Sequence, residues 1–174
     1  MGSEGERAMR HVEAMLDRRG YAKEGEGKFL CGERVAVVVR AEKLSVHSVR
    51  DAASSASARG AATLLVLVGA APTAPVRFAI AEVERATGLF LEVFTVGEMQ
   101  IDVLAHELQP VFRVVTESEV RALLAERRVK LTQLPRILSS DPCARYLGAR
   151  RGTVLCITRR PESANELVTY RVVT

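Results

Sequence analysis

Residues 134–174 read LPRILSSDPCARYLGARRGTVLCITRRPESANELVTYRVVT, and the order of their local signals predicts a short helix followed by two strands. Asp141-Pro142 has the form of a helix start. The Asp carboxylate can accept the free amides of a first turn, and Pro at the first helical position gives up no hydrogen bond. Cys143, Ala144, Tyr146 and Leu147 supply apolar bulk, and Gly148 suits the left-handed position just past a helix end. Gly152 then turns the chain into Thr153–Thr158, a β-branched and mostly apolar run, and a second such run occupies Leu167–Val173. Upstream, Pro135 lacks an amide and holds Leu134 extended, so no helix crosses into this module.

Before the module, Thr116-Glu117-Ser118-Glu119 is a T-x-x-E capping box, in which hydroxyl and carboxylate each satisfy a free amide. It predicts a helix to about Arg128, with Val120, Leu123 and Leu124 on its buried stripe. Arg127, Arg128 and Lys130 crowd its end, where cations favour the helix dipole. At the start of the chain, residues 1–6 read as loose. Arg7–Arg19 has the apolar spacing of an amphipathic helix through Ala8, Val12, Met15 and Leu16, and Lys23–Lys28 reads as a charged, Gly-rich turn. Three apolar runs, Arg34–Val39, Thr63–Val68 and Leu89–Phe94, read as buried strands. Between them lie a helix capped by Ser45, with Val46, Val49, Ala52, Ala53 and Ala56, and a second helix over Val76–Thr87. Strand and helix thus alternate around a small mixed sheet. The predicted fold is α+β in two domains, 1–101 and 102–174, with the boundary within Gly97–Val103.

Composition limits what these domains can do. The 174 residues are 48% hydrophobic, enough for a buried core. Cys31, Cys143 and Cys156 are widely spaced and form no C-x-x-C pair, which argues against a disulfide framework or a zinc knuckle and for a reducing compartment. No apolar run approaches the roughly 20 residues of a membrane span, and no signal core follows the first charges. Residues 1–101 hold 13 Lys+Arg against 13 Asp+Glu, and residues 102–174 hold 12 against 8, so the whole excess of +4 sits in the second part. That favours an acidic protein face or nucleic acid, without the dense basic stripe of an autonomous nucleic-acid binder.

The motifs of the final module match a known pattern in order and spacing. The segment resembles the carboxy-terminal assembly domain of a small RNA polymerase subunit that archaea share with the nuclear polymerases of eukaryotes, where it is the fifth subunit. That family reads L-P-R-I, then D-P-x-A-R-Y-x-G, R-G-x-V and Y-R-x-V. The corresponding residues are Leu134, Pro135, Arg136 and Ile137; Asp141, Pro142, Ala144, Arg145, Tyr146 and Gly148; Arg151, Gly152 and Val154; Tyr170, Arg171 and Val173. His106, Glu107, Leu108 and Pro110 resemble the H-E-L-V-P that leads into the domain, and Asp17-Arg18-Arg19-Gly20-Tyr21 resembles a D-R-G-Y after the eukaryotic first helix. In the loop Gly69–Pro75, Pro72, Thr73 and Ala74 fit a T-P-S-A motif near downstream DNA, with Ala71 in place of the leading Thr and Pro75 in place of Lys.

The resemblance implies a non-catalytic polymerase subunit. The amino-terminal domain would be a jaw, restriction-endonuclease-like in fold and absent from the archaeal protein, placing Pro72, Thr73, Ala74 and Arg77 beside downstream duplex DNA. The carboxy-terminal domain would anchor to the largest subunit through His106, Leu134, Pro135, Arg136, Asp141, Pro142, Arg145, Tyr146, Gly148, Arg151, Gly152, Tyr170 and Arg171. It further implies other polymerase subunits as partners, no membrane, no small-molecule substrate, no cofactor and no metal. The location would be the nucleus, or a virion or host transcription site if the polymerase is viral. The family's R-P-S-E-T-A-G-R-Y hairpin is altered in residues 159–167: Asn165 can take the left-handed position of Gly, and Glu166 reverses a positive charge.

Catalytic alternatives are thin. His11, His47 and His106 have no metal-binding spacing, and no phosphate-binding glycine loop or nucleophile elbow is present. A magnesium nuclease would need two acidic ligands and a Lys on adjacent strands. The nearest candidates, Asp17, Glu26 and Lys28, fall on a helix end and a turn. Cys143 and Cys156 read as core fillers on apolar faces. A free-standing nucleic-acid-binding adaptor is the alternative to a polymerase subunit.

Overall fold

The computed structural model describes residues 3–25, 27–31, 34–159 and 166–174. The chain divides into two compact units, Met1–Ile101 and Asp102–Thr174.

The first unit opens with α1 (Ser3–Arg18), a hairpin of β1 (Ala22–Gly25) and β2 (Lys28–Cys31), and β3 (Arg34–Ala41). It continues through α2 (Val46–Ala58), β4 (Ala61–Val68), α3 (Ala74–Thr87) and β5 (Phe90–Thr95) to a single 3-10 turn at Glu98–Gln100. Its sheet runs β1-β2-β3-β4-β5. The first three strands are antiparallel neighbours and the last three are parallel, with Val39 opposite Val66 and Val66 opposite Val93. The mixed sheet follows from chemistry. Val35–Val39 and Thr63–Val68 are apolar on both faces, as parallel strands must be when helices cover them.

One face packs under α2 and α3, where Val49, Ala53, Ala56, Val76 and Val83 meet Val37, Leu64, Val66, Val68 and Leu91. Ser45 caps α2 as its sequence predicts: its hydroxyl accepts the Ser48 amide, and the Ser48 hydroxyl accepts the Ser45 amide. On the other face Glu92 and Phe94 alternate with Leu91 and Val93. Helix α1 buries Gly5, Ala8, Val12, Met15 and Leu16. The Arg19 guanidinium that follows it grips Glu92 at 2.5 and 3.1 Å. Both side chains are under a tenth exposed. His11 Nδ1 donates to the Met99 carbonyl at 2.9 Å, tying the middle of α1 to the 3-10 turn.

Two expectations fail here. Residues 3–6 are helical rather than loose, because Glu4 and Glu6 stand in the first turn of α1, where negative charge complements the free amides. Lys23–Lys28 is not merely a turn, since its ends belong to β1 and β2. The strand β1 is exposed throughout, so no buried alternation marks it.

The second unit contains β6 (Val111–Val114), α4 (Glu117–Arg127), a 3-10 turn at Leu131–Gln133, β7 (Arg136–Ile137), α5 (Pro142–Tyr146), β8 (Val154–Arg159) and β9 (Leu167–Val173). Its sheet runs β6-β8-β9-β7. Both faces are covered. Val154, Cys156 and Val172 pack with Val115 and Leu134, and with Val120 and Leu124 of α4. Leu155 and Val173 pack with Ile137, and with Ala144 and Ala149 in and after α5. Helix α4 ends at Arg127, one residue short of expectation, because Arg128 turns into the left-handed region at φ 52°. The sequence reading omits β6 and β7.

Candidate functional site

The motif residues of the second unit fall into two groups. Leu134 and Tyr146 are buried, Tyr146 to 1%. Asp141 caps α5, its Oδ1 accepting the amides of Cys143 at 2.9 Å and Ala144 at 3.3 Å, with Pro142 at the first helical position. Gly148 and Gly152 have φ of 64° and 88°, and Gly152 donates its amide to the Val173 carbonyl at 2.9 Å. The Pro135 carbonyl accepts the Val172 amide at 2.9 Å, which seats β7 beside β9. These residues build the scaffold.

The second group faces outward. Arg136 and Arg151 are exposed, and so is Arg171, which donates Nη1 to the Arg136 carbonyl at 3.3 Å. Arg145 is half-buried on α5, its amide bonded to the Asp141 carbonyl. Tyr170 is half-buried under Arg127, whose guanidinium carbon lies 5.2 Å from the ring centroid, a cation–π contact. His106 is exposed in the turn before β6, with Nδ1 accepting the Leu108 amide at 3.2 Å. Glu166 is exposed, and residues 160–165 of the altered hairpin, Asn165 included, lie outside the described residues.

Sequence reasoning missed a groove in this unit. The end of β6, the start of α4 and the turn Arg151–Thr153 border an open groove of about 740 Å³. Its floor is aliphatic: Val114, Val115, Val120, Leu131 and Val154. Arg121, Arg151 and Glu117 stand on its rim. The available signal was the run Val111-Phe112-Arg113-Val114-Val115 between Pro110 and the Thr116 cap, five strand-favouring residues or aliphatic stems in a row.

The electrostatics beside the groove centre on Glu119. Its carboxylate accepts from Arg113 Nη1 at 2.9 Å and from the Thr116 amide and hydroxyl, both at 2.8 Å. The bond to Arg113 first, then those to Thr116, hold its pKa down from 4.5 to about 2. The same bond to Glu119 raises the pKa of Arg113. A depressed carboxylate stabilises the folded chain above its unfolded value, and that contribution is lost as the pH falls towards about 2. A carboxyl-resolved NMR titration is therefore expected to give Glu119 a midpoint far below an ordinary Glu. Arg113→Ala should move that midpoint up. An unchanged midpoint would remove Arg113 as the principal cause.

In the first unit, Thr73 is the N-cap of α3 but its hydroxyl caps no amide of that helix. Thr73, Ala74 and Arg77 are exposed and Pro72 is half-buried. The four residues form one surface at the start of α3, and Phe78 beside them is 74% exposed. Of the nuclease candidates, the two described ones, Asp17 and Lys28, stand on different elements. Asp17 is exposed near the end of α1, Lys28 is ion-paired to Glu24 at 2.5 Å on the β1–β2 hairpin, and Glu26 lies outside the described residues. Lys28 stands on a paired strand rather than in the turn expected of it. Among the described residues no group of three His, Cys, Asp or Glu is placed to hold a metal ion. Cys143 and Cys156 are buried. Burial, then the nearby Asp141 charge, raises the Cys143 pKa against the bond from Gln109 Nε2 at 2.9 Å, so this thiol is not activated.

A family model described as RNA polymerase Rpb5, C-terminal domain, matches residues 101–173. Among curated proteins, the Caenorhabditis elegans subunit RPABC1 of DNA-directed RNA polymerases I, II and III is 43% identical over 90 residues, 52% of this chain and 43% of its own. The chain thus matches less than half the length of the nematode relative. The Dictyostelium discoideum subunit rpabc1 is 32% identical over 130 residues, 75% of this chain and 66% of its own. The archaeal subunit Rpo5 of Methanosphaera stadtmanae is 40% identical over 75 residues, which cover 97% of that protein. With an archaeal subunit matched over nearly all its length, the chain belongs to the Rpb5/Rpo5 family of DNA-directed RNA polymerase subunits.

Proposed function

We propose that this chain is a non-catalytic subunit of a multisubunit DNA-directed RNA polymerase. Its carboxy-terminal unit docks on the largest subunit, and its amino-terminal unit forms part of a jaw along downstream duplex DNA. The observation that carries the proposal is the division of the motif residues in the second unit. Asp141, Tyr146, Gly148 and Gly152 hold the fold, while Arg136, Arg151 and Arg171 are left on the surface. Exposed arginines on a rigid scaffold suit charge-assisted contacts to a partner. The charge excess of +4 in residues 102–174 favours the same role.

For the first unit, the support is the uncommitted Thr73 hydroxyl, the amides at the start of a 14-residue helix and the exposed Arg77. These groups can meet phosphate oxygens without reading sequence. Nucleotidyl transfer and its magnesium then belong to the large subunits. A nuclear polymerase would place the chain in the nucleus. The test is a tagged pull-down of the full chain from its native source, washed at moderate salt, with mass spectrometry of what is retained. Recovery of the two largest polymerase subunits in comparable amounts is expected. Recovery of the chain with nucleic acid alone would favour a free-standing adaptor.

A further inference from the structure

Resting on the polymerase reading, we infer that the groove between β6, the start of α4 and the Arg151–Thr153 turn is a docking cradle. Its occupant is a short acidic and aliphatic peptide segment of a partner subunit. The floor sets the aliphatic half of that specificity. Val115 and Val154 belong to the core cluster, and Val120 and Leu131 are half-buried against it. Val114, on the sheet's edge strand β6, remains 40% exposed. An aliphatic side chain laid along this floor would extend the core outward and remove its apolar surface from water.

The rim sets the acidic half. Arg121 and Arg151 are exposed, and among the described residues neither belongs to an ion pair. The Arg121 Nε donates only to the Glu117 carbonyl one turn back, at 3.4 Å. Other polar groups at this end are already committed: Glu119 serves Arg113 and Thr116 together. Two uncompensated guanidinium groups face a single rim carboxylate, Glu117, within a unit whose net charge is positive. Paired cations at the mouth of an apolar trough select carboxylates beside aliphatic side chains and repel basic sequences. A volume of about 740 Å³ open to solvent holds a few residues of extended chain rather than an enclosed small molecule.

The probe is an acetylated hexapeptide, Asp-Glu-Leu-Leu-Asp-Glu, titrated into the full chain labelled at Val and Leu methyls. Its counterpart Lys-Lys-Leu-Leu-Lys-Lys is the control. The acidic peptide is expected to shift the methyls of Val114, Val115, Val120, Leu131 and Val154 and to leave Leu155 unmoved. Arg121→Glu/Arg151→Glu should weaken its binding about tenfold, the size expected for two partly exposed charge contacts. Both positions are exposed, so the double variant should keep the circular dichroism of the parent. Unmoved groove methyls, or equal binding of the two peptides, would overturn the inference. The polymerase reading is judged separately, by recovery of the large subunits with the unmodified chain. If the double variant recovers them at the same salt resistance as the parent, the cradle is not the docking surface and the polymerase reading stands.

Discussion

Arg19→Ala is expected to destabilise the first unit by about 3–5 kcal/mol, the range for removing one partner of a buried ion pair. The guanidinium lies 6% exposed and makes two bonds to Glu92, itself 8% exposed on β5. Truncating Arg19 leaves a buried carboxylate without its counter-charge. A paired change, Arg19→Met with Glu92→Leu, removes both charges while keeping volume and should recover most of the loss. Native-state hydrogen exchange at the β4 amides, around Val66, reads the first unit by itself. A loss below about 1 kcal/mol for Arg19→Ala would mean that the site remains hydrated, since partly exposed pairs contribute no more than that.

Leu155→Ala should cost about 2–5 kcal/mol, the transfer and cavity cost of a large-to-small core change. Leu155 is 0% exposed in β8, packed with Ile137, Ala144, Ala149 and Val173. A unit the size of Asp102–Thr174 has roughly 4–11 kcal/mol in all, taking about 0.05–0.15 kcal/mol per residue. One side chain is thus comparable to the unit's whole margin. The β8 amides should lose protection while those of β4 keep theirs, and polymerase recovery should fall with them. Loss of protection in both units together would show that they unfold as one.

The elements that can be read from sequence are those with a local cause. Ser45, Thr116 and Asp141 are side chains that can cap a helix, and each does so in its own way. Gly148 and Gly152 stand where the backbone takes positive φ. The central parallel strand is apolar and buried on both faces, with α2 and α3 over one of them. What escaped notice has no such cause. Strand β1 is exposed along its length, β6 is four residues between a Pro and a cap, and β7 is two residues held by backbone bonds to β9. Arg19 and Glu92 are 73 positions apart, so only the packed fold joins them. The groove is illegible for the same reason, since β6, α4 and the Arg151–Thr153 turn converge only once the second sheet has formed. Sequence also could not separate Tyr146, a core residue, from Arg151, a surface one, although both belong to the same recognised pattern.

The two sheets differ in the sequence in which a growing chain can complete them. In the first, each new strand adds beside the one before it, in the order β1-β2-β3-β4-β5. That unit can therefore grow vectorially as its residues emerge, with little loop to close at each step. In the second, β9 is inserted between β8 and β7, and the Val173 and Thr174 carbonyls accept the amides of Gly152 and Ser139. Neither β7 nor α5 has a completed sheet to rest on until residues 167–174 arrive. A nascent chain halted before Leu167 would carry a finished first unit and an unclosed second one. The exposed arginines proposed as the partner face would then be assembled last, and on that proposal docking would wait until this sheet is complete.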